Sequence, residues 1–117
     1  MSVRVLLVCL LCLAVPSVAS ADRAATRSEK SAISKAAHRS KQTKFFDCFK
    51  LDHVRVSTKG PWAGATLRAC ENANDAIFGL FRRRDSGGWK LRRLGNGAVG
   101  CDIAPRKVQR DLDLGCG

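Results

Sequence analysis

Asp52, His53 and Ser57 are the residue types of an acid, a base and a nucleophile, and they lie within six positions of one another. Their spacing argues against a catalytic set. Neighbours on an extended strand point to opposite faces, and four residues of strand carry Ser57 beyond hydrogen-bond reach of His53. His38, the other histidine, falls in a polar segment and is read as solvent-facing. No close carboxylate pair marks glycoside hydrolysis; Asp111 and Asp113 are read as capping or solvated residues near a helix end. Gly95, Gly97 and Gly100 do not form a phosphate-binding loop between strand and helix and are read as turn glycines. No catalytic residue and no cofactor is assigned, and an enzyme is the less favoured reading.

The cysteines have a different use. Six are present, and Cys9 and Cys12 fall in an N-terminal apolar run. The remaining four, Cys48, Cys70, Cys101 and Cys116, suit two disulfides in an exported chain of this size. A zinc site needs closer ligand pairs than these, so no metal is assigned. A hairpin centred on Lys59 sets Cys48 directly opposite Cys70, within bridging distance. Cys101 and Cys116 bracket a short helix that would be marginal without a staple.

The third arrangement is cationic. Arg82, Arg83, Arg84, Lys90, Arg92 and Arg93 surround the turn Asp85-Ser86-Gly87-Gly88, with Trp89 among them. Such a group can grip phosphates or stack on a sugar or base. The competing reading is a solvated sheet face whose charges keep the edge from pairing.

Several elements must position these residues. Residues 1–21 read as a signal peptide: Arg4, an apolar stretch from Val5 to Val15, Pro16, then Ala19-Ser20-Ala21, with cleavage placed after Ala21. The apolar run is too short for a lasting membrane anchor. Val8 and Leu11, the residues before the leader cysteines, do not fit a lipoprotein signal, so a soluble, secreted, monomeric product is expected. The formal net charge of the whole chain is +11, and the 96 residues after the leader keep +10. That favours anionic partners such as envelope polymers, lipid head groups or acidic proteins, the first and last preferred, with nucleic acid an unlikely one outside the cell. Charge kept for solubility alone is the alternative.

Residues 22–44 are expected to form a basic helix or arm. Thr26 and Glu29 have capping-box spacing, and Ile33, Ala36 and Ala37 make a narrow apolar stripe over a helix from Ala24 to about Gln42. With one large apolar side chain, this helix is expected on the sheet and not on a membrane. Residues 45–117 form the stapled domain. Strands are expected over Cys48–Ser57, Trp62–Cys70 and either side of the Asp85–Gly88 turn. A bulged turn pairing Arg84 with Lys90 puts Phe81, Trp89 and Leu91 on a buried face and Arg82, Arg84, Lys90 and Arg92 on a wet one. Asp102 and Pro105 suit the start of the last helix, Val108 and Leu112 its apolar side, and Gly115 its end. The fold class is α+β: an N-terminal helix on a four-stranded antiparallel sheet, a short C-terminal helix and two disulfides.

The segment GWKLRRLGNGAVGCDIAPRKVQRDLDLGC is similar to the endings of small exported actinobacterial proteins of unassigned function. The order of helix, hairpin, hairpin and short helix resembles cystatin-like and NTF2-like folds. These resemblances imply a fold and an exported location, and carry over no catalytic residue. The function expected is a non-enzymatic binding domain for an anionic surface or partner. The alternatives are an NTF2-like ligand binder or small enzyme with a pocket between helix and sheet, and a cystatin-like hydrolase inhibitor presenting the Thr58–Trp62 tip.

Overall fold

A computed structural model describes residues 22–72 and 74–117. The leader reading of residues 1–21 lies outside the described residues. The element order is β1 (Arg23–Ala24), α1 (Arg27–Arg39), a 3-10 turn (Lys41–Thr43), β2 (Phe49–Val56), β3 (Trp62–Ala69), β4 (Ala76–Arg83), β5 (Trp89–Gly95) and α2 (Arg106–Asp111). The strands form one antiparallel sheet in the order β1-β2-β3-β4-β5. It is an α+β fold with five strands, one more than expected.

The extra strand is β1, where a helix start was expected. Arg23 and Ala24 pair with Val56 and Arg55, and Ala25 N donates to Val54 O at 3.2 Å. Helix α1 begins only after Thr26, whose hydroxyl accepts from Glu29 N at 3.2 Å while Glu29 Oε1 accepts from Thr26 N at 2.9 Å. The capping box is therefore formed, and Arg23 adds a two-pronged ion pair to Glu29 at 2.7 Å. Hydrogen bonding from Arg23, helped by the Thr26 amide and hydroxyl, pulls the Glu29 carboxyl down to about 2 against the cost of its burial. The helix stops earlier than expected because Ser40 turns extended and its hydroxyl accepts from Gln42 N, starting the 3-10 turn. Thr43, buried in that turn, donates its hydroxyl to Ala37 O at 2.7 Å.

Ile33, Ala36 and Ala37 are buried against one sheet face with Phe49, Val54, Val56, Leu67, Phe81, Trp89 and Leu91. Two strand bulges make that face continuous. Phe49 and Leu51 would lie opposite Val54 and Val56 on an unbroken strand. His53, at φ 51°, and Val54 share the place opposite Ala65, which brings all four onto the helix side. The same device appears in β5. Arg92 is the extra residue between the Leu80–Arg93 and Phe81–Leu91 pairs, so Leu91 and Leu94 both face α1. The expected bulge at the turn is thus corrected: Arg83 pairs with Trp89, Arg82 with Lys90, and a longer loop closes through Arg84 N to Gly88 O at 2.6 Å. Phe81, Trp89 and Leu91 do share the buried face.

The sheet's other face is not left wet. Trp62, Leu80, Val99, Ala104, Val108, Leu112 and Leu114 form a second core beneath the C-terminal segment. Gly64 leaves room for the Phe78 ring, and Gly100, at φ 81°, admits the Leu80 side chain. Helix α2 starts at Arg106 after Pro105, with no side-chain cap; Asp102 instead accepts from Arg93 at 2.9 Å. The helix closes on Asp113, not Gly115. Asp113 takes φ 52° while its N–H reaches Arg110 O and Leu114 N reaches Gln109 O, the two bonds of a Schellman closure. Both expected disulfides are present, Cys48–Cys70 and Cys101–Cys116.

Candidate anion-binding groove

Where α1 passes alongside β5, the two elements leave a groove of about 510 Å³. Lys35 and Arg39, one helical turn apart, line its helix side, and Lys41 extends that wall into the 3-10 turn. Arg84, Trp89, Lys90 and Leu91 supply the sheet side, with Ala32 and Ala36 completing the apolar part. Gln42 ties the walls together by donating to Leu91 O at 3.3 Å. Lys35, Arg39, Lys41 and Arg84 give the groove four cations, and no acidic side chain lines it. Lys90, between Trp89 and Leu91 and opposite Arg82, borders the groove from the edge strand with its side chain toward the other face.

Ion pairing separates these four cations from four arginines elsewhere, though not from other cations such as Lys50 and Arg106, which among the described residues have no ion pair either. Arg23, Arg55, Arg68 and Arg93 are matched with Glu29, Asp22, Asp52 and Asp102. Among the described residues, none of the groove cations has such a partner. Their field is therefore uncompensated, and an incoming anion meets positive charge above an apolar floor. Trp89 is 8% exposed, and the Arg83 guanidinium lies over its ring at 6.0 Å.

The cationic hairpin expected from the sequence is divided by the fold. Arg84 and Trp89 line the groove, Lys90 borders it, and Arg83 covers Trp89. Arg82 and Arg92 line a shallower depression with Lys59, Pro61 and Trp62, the Arg82 guanidinium 5.6 Å from the Trp62 ring. Arg93 is engaged with Asp102, and its hydrogen bond holds the Asp102 carboxyl below its usual range. The sequence places Lys35, Arg39 and Lys41 among the cations around the helix's apolar stripe, without joining them to the hairpin, and does not mark Gln42. The available signal was the i, i+4 spacing of Lys35 and Arg39 beside the Ile33–Ala36–Ala37 stripe, which places them on the flank of the packed face.

Other candidates resolve differently. The φ 51° of His53 brings its ring back to within 3.5 Å of Asp52, so these neighbours do not diverge as a regular strand requires. Hydrogen bonding from Arg68, opposed by some burial and joined by the His53 amide, lowers the Asp52 carboxyl. Ser57 is far from this pair in role: its hydroxyl donates to Asp111 at 2.7 Å. Asp111 is buried, not a solvated cap. Burial pushes its carboxyl upward, but donors from Ser57 and Thr58 and the charge of Lys59 outweigh that and leave it below the usual range. His38 is exposed but stacks on Phe49 at 4.2 Å. The space directly under α1 is filled by Ile33, Leu67 and Phe81, each fully buried, and the Thr58–Trp62 tip is tied to α2 through Asp111. Among the described residues, no helix is long and apolar enough to cross a membrane, and no three metal-ligating side chains converge. No family model, curated protein or solved structure matches this chain.

Proposed function

We propose that this chain is an exported, non-enzymatic binding domain that holds an anionic surface or partner in the groove between α1 and β5. The observation that carries the reading is the lining itself: Lys35, Arg39, Lys41 and Arg84 with no acidic side chain among them. Arg55, Arg68 and Arg93 each sit beside a carboxylate, whereas the groove gathers a single sign around an apolar floor. Two disulfides stabilise the fold and suit an oxidising environment. The leader reading of residues 1–21 supports export.

The test is retention of the oxidised protein on long-chain polyphosphate across a salt series. Wild-type retention is expected to fall steeply as salt rises, with each groove cation lost lowering the salt slope by about 1. The triple variant Lys35→Ser, Arg39→Ser, Arg84→Ser is expected to lose most low-salt retention while keeping its circular dichroism. Unchanged retention in a folded triple variant overturns the reading.

A further inference from the structure

The Lys41–Thr43 turn that ends the groove leads directly to Phe45. Among the described residues this is the one large apolar side chain left exposed, at 66%. A single exposed apolar residue is ordinary by itself. Phe45 differs in how it is held and in what surrounds it.

Its ring packs on Phe46 at 4.4 Å, Phe46 on Phe49 at 5.2 Å, and Phe49 on His38 at 4.2 Å. Phe49 is a buried member of the main core, so the aromatic series runs from the core to a solvent-facing tip. The turn beneath is pinned as well: Thr43 donates to Ala37 O and Ser40 O, and Phe46 N donates to Thr43 O. The ring is thus presented at little further cost in conformational freedom. Lys41 and Lys44 flank it, both exposed, and Arg39 precedes them; Asp47 is the one acid between Arg39 and Phe49. Lys41 and Arg39 also line the groove.

An exposed phenyl ring beside lysines and a cationic groove matches the cross-section of an anionic bilayer, with headgroup phosphates outside and hydrocarbon just beneath. A water-soluble polyanion has use for the cations and none for the ring. Resting on the groove reading above, we infer that the anionic partner is a lipid bilayer surface, with the groove cations holding headgroup phosphates and Phe45 entering the acyl boundary. The apolar stripe of α1 takes no part, because Ile33 and Ala37 are fully buried on the sheet. The contact is made by the turn after the helix.

The experiment compares two probes with the same proteins: vesicles of phosphatidylglycerol mixed equally with phosphatidylcholine, and long-chain polyphosphate. Phe45→Ser, a change at an exposed site, is expected to weaken vesicle binding about tenfold or more and leave polyphosphate binding unchanged. Phe45→Trp is expected to bind vesicles as wild type does and to show a blue-shifted emission that brominated lipid quenches. Vesicle binding by Phe45→Ser equal to wild type overturns the inference, as does equal weakening toward both probes. Wild-type binding to polyphosphate but not to vesicles overturns it and leaves the groove standing. Binding to neither probe overturns the groove reading and this one together.

Discussion

Asp111, near the end of the chain, accepts the Ser57 hydroxyl at 2.7 Å, and Ser57 in turn accepts Lys59 N at 3.0 Å. Asp111 also accepts Thr58 N at 2.6 Å and the Thr58 hydroxyl at 3.2 Å. A carboxylate on α2 thus replaces the missing partners of the β2–β3 turn and fixes the C-terminal segment over the second sheet face. Asp111→Asn keeps the shape but removes the charge from these bonds, and a loss of about 2 kcal/mol in urea unfolding is expected. Ser57→Ala, which leaves Thr58 as donor, is expected to cost about 1 kcal/mol. Equal stability of Asp111→Asn and wild type would remove the latch from the account.

Acid stability follows from Asp111 and Glu29 together. Both carboxyls sit below their ordinary values in the folded protein, Glu29 at about 2 against 4.5. A folded value below the unfolded one means stability that is complete above about pH 4.5 and lost as pH falls toward 2. Unfolding midpoints measured across that window should decline in wild type and decline less steeply in the double variant Glu29→Gln, Asp111→Asn, since Asp52 and Asp102 are lowered as well.

The Cys101–Cys116 bridge closes a separation of 15 residues around α2. Replacing both by Ser is expected to cost about 3 kcal/mol on the chain-entropy estimate. The loosened segment should expose Trp62 on the second face, so its emission should shift red at temperatures where wild type is unchanged. A stability loss without that shift would place the bridge's effect elsewhere.

Gly100→Ala tests the packing of that same segment. Its φ is +81°, and a Cβ there would collide with the Leu80 side chain, which is fully buried. A loss of about 1–3 kcal/mol is expected in urea unfolding. In a Leu80→Ala background the added cost of Gly100→Ala should shrink, since part of the collision is gone.

Arg93 separates charge count from charge position. It is spoken for by Asp102, whereas Arg39 has no such partner among the described residues and lines the groove. Arg93→Ser should leave polyphosphate retention as in wild type, while Arg39→Ser should lower the midpoint salt concentration for release. Equal effects would mean that net charge alone governs binding.

Features carried by neighbours in sequence could be read directly from it. The Thr26–Glu29 cap and the Ile33–Ala36–Ala37 stripe are set by spacings of three or four residues, and Cys101 and Cys116 bracket a short helix. The symmetry about Lys59 that sets Cys48 opposite Cys70 does not hold beside the turn, where Val56 pairs with Ala63; the bulge at His53–Val54 restores it further along the strands. The bulges also left a trace: apolar residues change parity between Leu51 and Val54 and between Leu91 and Leu94, which no regular strand allows with a single buried face. What local pattern could not supply depends on distant partners. Arg23–Ala24 is a strand only because β2 offers an open edge. Asp111 is buried only because the β2–β3 turn has unpaired donors to present to it. Lys35 and Arg39 share a groove with Arg84 only because the stripe on α1 seats the helix beside β5. A periodicity states which side of an element is buried; which other element lies against that side is fixed by packing of the whole chain, and the groove is a product of that packing.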